Sequence, residues 1–251
     1  MKRSRTRALG QHMLVDLEVL DKIIDESHVN KAETVCEVGT GNGILTYALC
    51  RYAKSVLSFE LDNTLFQNAI KKLHFLSNLT LINADAFRVQ DLSFNVFVSN
   101  LPYARSKDAF TWLPFRKFNR AIIMIQKEFA RKLQANPGQR NYRAISVITQ
   151  YCFNIQELFD VDRKAFDPEP SIESVVIRLT PKKSSITEQI IKGLDTLFSQ
   201  KNKKASSQVN KFGVKYQFGV NLACKRINEL DAEELVELAR GFTTKGLHES
   251  L

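Results

Sequence analysis

The sequence predicts an α/β protein, a doubly wound sheet followed by a small all-helical C-terminal domain. Strand-like and helix-like segments alternate from about residue 17 to residue 180, as in repeated βαβ units. The run Thr34-Val35-Cys36-Glu37-Val38 leads directly into Gly39-Thr40-Gly41-Asn42-Gly43 and the helical start Ile44-Leu45-Thr46-Tyr47. Beyond Pro181-Lys182-Lys183-Ser184-Ser185 only helical stretches follow, which divides the chain into residues 1–183 and 184–251.

Each element has its own signal. Helical patterning covers 17–27, 44–53, 62–73, 107–113, 126–134 and 143–153. Short apolar runs at 34–38, 55–59, 79–82, 94–99, 121–125, around 158–161 and at 174–179 read as strands, the last two as an antiparallel hairpin. In the C-terminal part, 186–200, 220–230 and 232–240 read as helices, with Asp231 as N-cap of the last. No internal repeat or low-complexity segment interrupts the series.

The strand ends carry the chemistry, because ligands of open α/β sheets bind at the carboxyl edge. At the first of them, glycines 39, 41 and 43 let a ligand approach the backbone closely. Dinucleotide enzymes use Gly-x-Gly-x-x-Gly, whereas here the third glycine comes one place early and Ile44 stands where it belongs. That spacing suits S-adenosyl-L-methionine better than NAD. Glu60 ends the second strand, where an acid accepts ribose hydroxyls, and Asp85 follows the third, within reach of a cofactor's adenine amine.

The fourth strand runs into Asn100-Leu101-Pro102-Tyr103. An aromatic exocyclic amine is a poor nucleophile until it becomes more tetrahedral. An asparagine oxygen and a backbone carbonyl held beside a proline can accept both amine hydrogens and favour that geometry. Tyr103 supplies a stacking surface worth roughly 1–3 kcal/mol per base.

With these motifs in place, the chain resembles the ribosomal RNA adenine dimethyltransferases of the kasugamycin-resistance type, relatives of the erythromycin-resistance methylases. The resemblance runs over nearly the whole chain. Leu9-Gly10-Gln11-His12-Met13-Leu14-Val15-Asp16 is similar to the family's opening motif, which implies that Gln11, His12 and Leu14 close over the methionine end of the cofactor. Gln126 to Leu133 and Pro137 to Tyr142 match the block after the catalytic loop. Phe166-Asp167-Pro168-Glu169-Pro170 resembles a motif whose phenylalanine closes the target-adenine pocket opposite Tyr103. His12, Met13 and Thr40 stand where the family usually has Asn, Phe and Pro, and the C-terminal segment Phe198 to Lys204 has Lys or Asn for the usual Arg.

The resemblance implies a Rossmann-like class I methyltransferase fold. It further implies an enzyme that dimethylates two adjacent adenosines near the 3′ end of small-subunit rRNA during ribosome biogenesis. Its site would comprise Asn100, Leu101, Pro102, Tyr103 and Phe166 for catalysis, and Gln11, His12, Leu14, Gly39, Gly41, Glu60, Asp85 and Asn100 for the cofactor. A large-subunit methylase, a DNA adenine methyltransferase and a ribosome-assembly factor with little turnover are the competing readings. Leu101 favours the small-subunit pattern, because the erythromycin-resistance type usually has Ile there.

Composition agrees. A chain of 251 residues with 44% hydrophobic content can hold one sizeable core and a small second module. The net charge of +9 implies an anionic partner. It is concentrated in Lys2, Arg3, Arg5 and Arg7 and in 192–226, where eight Lys/Arg meet the single acid Asp195, a distribution suited to RNA phosphates. The expected partner is small-subunit rRNA in an immature subunit, and the expected state is a monomer. Four scattered cysteines and four scattered histidines show neither disulfide nor metal-ligand spacing, and no apolar stretch is long enough for a membrane helix. The first motif begins near residue 9, leaving no room for a transit peptide, so the expected location is the cytoplasm.

Overall fold

The computed structural model describes residues 12–212 and 224–241. The chain divides into two compact units, Met1–Ala130 with Ile155–Pro181, and Arg131–Asn154 with Lys182–Leu251. The segment Arg131–Asn154, expected to belong with the sheet, clusters instead with the C-terminal helices.

The first unit is organised by a seven-stranded sheet. Its strands are β2 (Thr34–Val38), β3 (Ser55–Phe59), β4 (Leu79–Ile82), β5 (Val96–Asn100), β6 (Arg120–Gln126), β7 (Phe153–Val161) and β9 (Ser174–Pro181), in the order β4-β3-β2-β5-β6-β9-β7. The first five are parallel to one another, and β9 runs antiparallel to β6 with Ile123 opposite Ile177. A separate two-stranded pair joins β1 (Met13–Leu14) to β8 (Phe166–Asp167), with Leu14 opposite Phe166. Chain order runs outward from β2 to β4, then resumes on the other side of β2 at β5. The carboxyl ends of β2 and β5 therefore flank the reversal, where a crevice opens in sheets of this type.

Local sequence explains the elements. Val35, Cys36, Val96, Phe97 and Val98 are fully buried, because parallel strands in the middle of the sheet are covered on both faces. Helix Leu17–Ser27 is capped by Asp16, which accepts the N–H groups of Glu18 and Val19 at 2.9 and 3.1 Å. Its Leu20, Ile23, Ile24 and Ser27 recur at helical spacing on the buried face. Each large apolar side chain buried this way contributes roughly 1.5–3 kcal/mol. Arg120 fixes the amino end of β6 by forking onto both Glu33 oxygens at 2.8 Å and donating to the carbonyls of Ser27 and His28.

In the second unit, helices Ala144–Cys152, Glu188–Ser199, Ala205–Phe212 and Ala232–Gly241 are described. Asp231 caps the last by accepting Glu234 N–H at 2.8 Å. Gly193 permits a close helix crossing, since a Cβ there would lie 3.1 Å from the Ala239 carbonyl oxygen. Two expectations change. The stretch 220–230 is not one helix: Ile227–Glu229 form a single 3-10 turn and Leu230 is extended, while 220–223 lie outside the described residues. Competing backbone bonds explain this, because Ala205 N–H donates to Lys225 and Ile227 N–H to Lys203, making a bridge in place of a helical turn. Helix Ala205–Phe212 is the reverse case, a serine-rich stretch held by the buried Ala205, Gln208 and Val209.

Candidate active site

Asn100 is the last residue of β5. One position earlier, Ser99 Oγ donates to the Val38 carbonyl at 2.6 Å, which fastens β5 to the end of β2 just below the glycine turn. Leu101 is buried and donates its N–H to the Met124 carbonyl, so the chain stays pinned to β6 as it leaves the sheet. Pro102 (φ −54°) then starts a 3-10 turn, Tyr103–Arg105, whose first hydrogen bond runs from Arg105 N–H to the Pro102 carbonyl at 2.8 Å. That leaves a specific pair of acceptors. Among the described residues, neither the Asn100 carboxamide nor the Leu101 carbonyl has a hydrogen-bond partner.

The glycine turn faces this loop. Gly39 has φ +88°, and a Cβ on it would lie 3.3 Å from Pro102 Cδ. Gly41 has φ +57°, with Met13 Sδ 2.9 Å from the place of its absent Cβ. Glu60 accepts Gly41 N–H through Oε2 and Asp62 N–H through Oε1, both at 2.9 Å. A carboxylate offers about four lone-pair sites, so each oxygen keeps one for a ligand hydroxyl. Asn42 Nδ2 donates to the Leu14 carbonyl at 2.9 Å, drawing β1 over the turn.

These groups line one open cleft with about 640 Å³ of empty space, its solvent mouth included. Of the expected site residues, His12, Leu14, Gly39, Gly41, Glu60, Asn100, Leu101, Pro102 and Tyr103 line it, while Asp85 and Phe166 do not. Gln11 lies outside the described residues. Phe166 is only 4% exposed and packs in the core that also holds Leu14 and Ile24. Both Asp85 oxygens lie 2.9 Å from Arg105 Nη2.

Tyr103 is held at both edges. Its hydroxyl shares a 2.8 Å hydrogen bond with Ser174 Oγ, and its ring centroid lies 5.5 Å from that of His12. Burial pushes the Tyr103 phenol up, against the opposing effect of the Ser174 bond. His12 Nδ1 is 2.7 Å from the Pro168 carbonyl. A carbonyl only accepts, so Nδ1 carries the hydrogen and the neutral ring presents Nε2 as an acceptor.

Beneath the turn lies a buried relay. Ser58 and Thr46 hydroxyls both donate to Glu37 Oε2 at 2.6 Å, and Thr40 Oγ1 is 2.7 Å from Ser58 Oγ. Because Ser58 uses its hydrogen on Glu37, Thr40 donates to Ser58. Burial pushes the Glu37 carboxyl up to about 7, with the two hydroxyl bonds opposing and the Glu60 charge adding to the rise. Ser58, Ser99, Asn42, Ser174 and Arg105 were not singled out from sequence. Their roles come from contacts between segments distant in the chain, which leave no local signal.

The sequence model of the family described as "Ribosomal RNA adenine dimethylase" matches residues 2–238. The chain belongs to this family. It is 37% identical over 188 residues to the probable ribosomal RNA small subunit methyltransferase A of Pyrococcus abyssi, covering 74% of this chain and 70% of that protein. The corresponding Thermococcus gammatolerans protein is 31% identical over 252 residues, covering 96% and 90%. Among solved structures, a dimethyladenosine transferase from Plasmodium falciparum superposes with a TM-score of 0.78 at 26% identity, over 90% of this chain and 96% of that one. The fold is that of the class I methyltransferases. Two of the residues expected to differ from the usual family pattern have partners of their own: His12 bonds Pro168, and Thr40 bonds Ser58.

Proposed function

We propose that the chain is an S-adenosyl-L-methionine-dependent rRNA adenine N6,N6-dimethyltransferase acting on small-subunit rRNA within an immature subunit. By family resemblance, the targets are two adjacent adenosines near its 3′ end. The carrying observation is the pair of unengaged acceptors, Asn100 Oδ1 and the Leu101 carbonyl, on residues lining a cleft that also holds the glycine turn and Glu60.

The residues present fit the cofactor. Gly39 and Gly41 line the cleft with backbone at positive φ, and Glu60 retains lone pairs for ribose hydroxyls. S-adenosyl-L-methionine supplies, when bound, a methyl group on a sulfonium. Asn100 and Leu101 accept the hydrogens of the target amine and turn its lone pair toward the methyl group. Tyr103, braced by Ser174, stacks on the extruded base, whose unstacking costs a few kcal/mol. Proximity and electrostatics do most of the work, so the chain needs no strong base. After one transfer the amine keeps one hydrogen, and one of the two acceptors suffices to orient it.

The helical unit is assigned to RNA binding. Lys201 lies near Arg143 and Arg140, and burial together with those guanidinium charges holds its ammonium below the usual lysine range. Among the described residues no carboxylate pairs with any of the three, an arrangement favourable to phosphate.

The test is label transfer from S-adenosyl-L-methionine to immature small subunits, large subunits and DNA in parallel. Label in small-subunit rRNA is expected. Label confined to large-subunit rRNA or DNA would replace the substrate assignment.

A further inference from the structure

Arg105 stands two residues beyond Tyr103 and makes more contacts than any role so far requires. Its Nη2 lies 2.9 Å from both Asp85 oxygens, its Nε lies 2.7 Å from Asp108, and its backbone N–H closes the turn on Pro102. Its guanidinium also sits 5.0 Å above the Phe87 ring, while Phe87 N–H donates to Asp85 Oδ1 at 3.1 Å.

Topology makes this pair unusual. Asp85 follows β4 and Arg105 follows β5, and the strand order places β3 and β2 between them. Strands three places apart are separated by about 14 Å. The segments that follow β4 and β5 therefore approach each other beyond the carboxyl edge of the sheet, and the Arg105–Asp85 pair joins them there. The pair is also well shielded, with side-chain exposures of 27% for Arg105 and 18% for Asp85. Arg88, by contrast, meets Asp85 at 3.6 Å with 88% of its side chain exposed and adds little.

Asp85 is not used up by these bonds. Of about four lone-pair sites on a carboxylate, Arg105 takes two and Phe87 one, leaving one acceptor. We propose that Arg105 is a positioning residue that couples the cofactor's adenine subsite to the amine-accepting loop. Asp85 is not among the residues lining the cleft, so Arg105 holds its remaining acceptor for an adenine amine reaching beyond that lining, and ties that acid to Asn100-Leu101-Pro102-Tyr103. This rests on the cofactor reading above. The consequence is that cofactor occupancy at Asp85 steadies the catalytic loop before the target base enters.

The test compares binding of S-adenosylhomocysteine with that of S-inosylhomocysteine, whose purine carries an oxygen in place of the amine, by calorimetry on the full chain. The variants are Arg105→Gln, Arg105→Lys, Asp85→Asn and the Gln/Asn double, all checked for unchanged thermal unfolding. Arg105→Gln should cut the preference for the adenosyl ligand about tenfold, as expected for loss of one charge-assisted hydrogen bond. Arg105→Lys should restore part of that preference, and the double variant should lose no more than Asp85→Asn alone. Equal weakening of both ligands, or additive losses, would overturn the coupling while leaving the cofactor assignment intact. Failure of the wild-type chain to bind either ligand would overturn the cofactor assignment and the coupling with it.

Discussion

The Gly41 backbone N–H donates to Glu60 Oε2 at 2.9 Å, so the acid at the end of β3 shapes the glycine turn and also faces the cleft. Replacing Glu60 by Ala removes both functions. Cofactor affinity should fall at least about tenfold, since hydrogen bonds to a charged group contribute roughly 1.5–3 kcal/mol each. Titration calorimetry with S-adenosylhomocysteine measures this, and unchanged affinity would reduce Glu60 to a clamp on the turn.

Gly39 packs the glycine turn against the loop that holds Pro102. An alanine there is strained by the φ of +88° and presses on Pro102 Cδ from 3.3 Å. Gly138 is the control, since its φ is +82° but nothing lies within 4 Å of its Cβ position. Each alanine should lower stability by about 1–2 kcal/mol. Only Gly39→Ala should also depress turnover; equal turnover in the two variants would remove the link to Pro102.

Tyr103 allows stacking to be separated from bracing. Tyr103→Phe keeps the ring and loses the bond to Ser174, so turnover should fall only a few-fold. Tyr103→Ala removes the stacking surface, worth roughly 1–3 kcal/mol, and should cost about 5- to 150-fold in kcat/KM for RNA. Equal losses in the two variants would show that the hydroxyl, and not the ring face, matters.

Glu37 makes stability depend on pH. Its folded value of about 7 lies above the ordinary 4.5, so between these values the native state holds a proton that the unfolded chain releases. Stability therefore falls as pH rises through this window and levels off above it, by about 3 kcal/mol in all. Glu37→Gln removes the titration. Urea unfolding between about pH 5 and pH 8 should show the variant gaining on the wild type by that amount; a constant difference would contradict the assignment.

The candidate cleft was legible in sequence where its lining comes from strand ends. Glycines 39 and 41, Glu60 and Asn100-Leu101-Pro102-Tyr103 each follow an apolar run, and the parallel topology gathers those ends at one edge. What sequence could not supply was how side chains are shared between distant segments. Asp85 reads as a free acid at a strand end, yet Arg105 reaches it from twenty residues away. Phe166 reads as a pocket wall, yet pairing of β8 with β1 turns it into the core beside Leu14. Helix Ala205–Phe212 was missed because only one face of a polar segment is apolar, and the assignment of Arg131–Asn154 to the second unit depends on packing alone.

The central claim is that Asn100 and the Leu101 carbonyl orient an adenosine amine for two successive methyl transfers. Nucleoside mass spectrometry of small-subunit rRNA, after incubation with S-adenosyl-L-methionine and either the wild-type chain or Asn100→Ala, tests it most directly. The account predicts N6,N6-dimethyladenosine with the wild type and at least a hundredfold less with Asn100→Ala, at similar cofactor affinity. Methylation of another base, or undiminished product from Asn100→Ala, would contradict it.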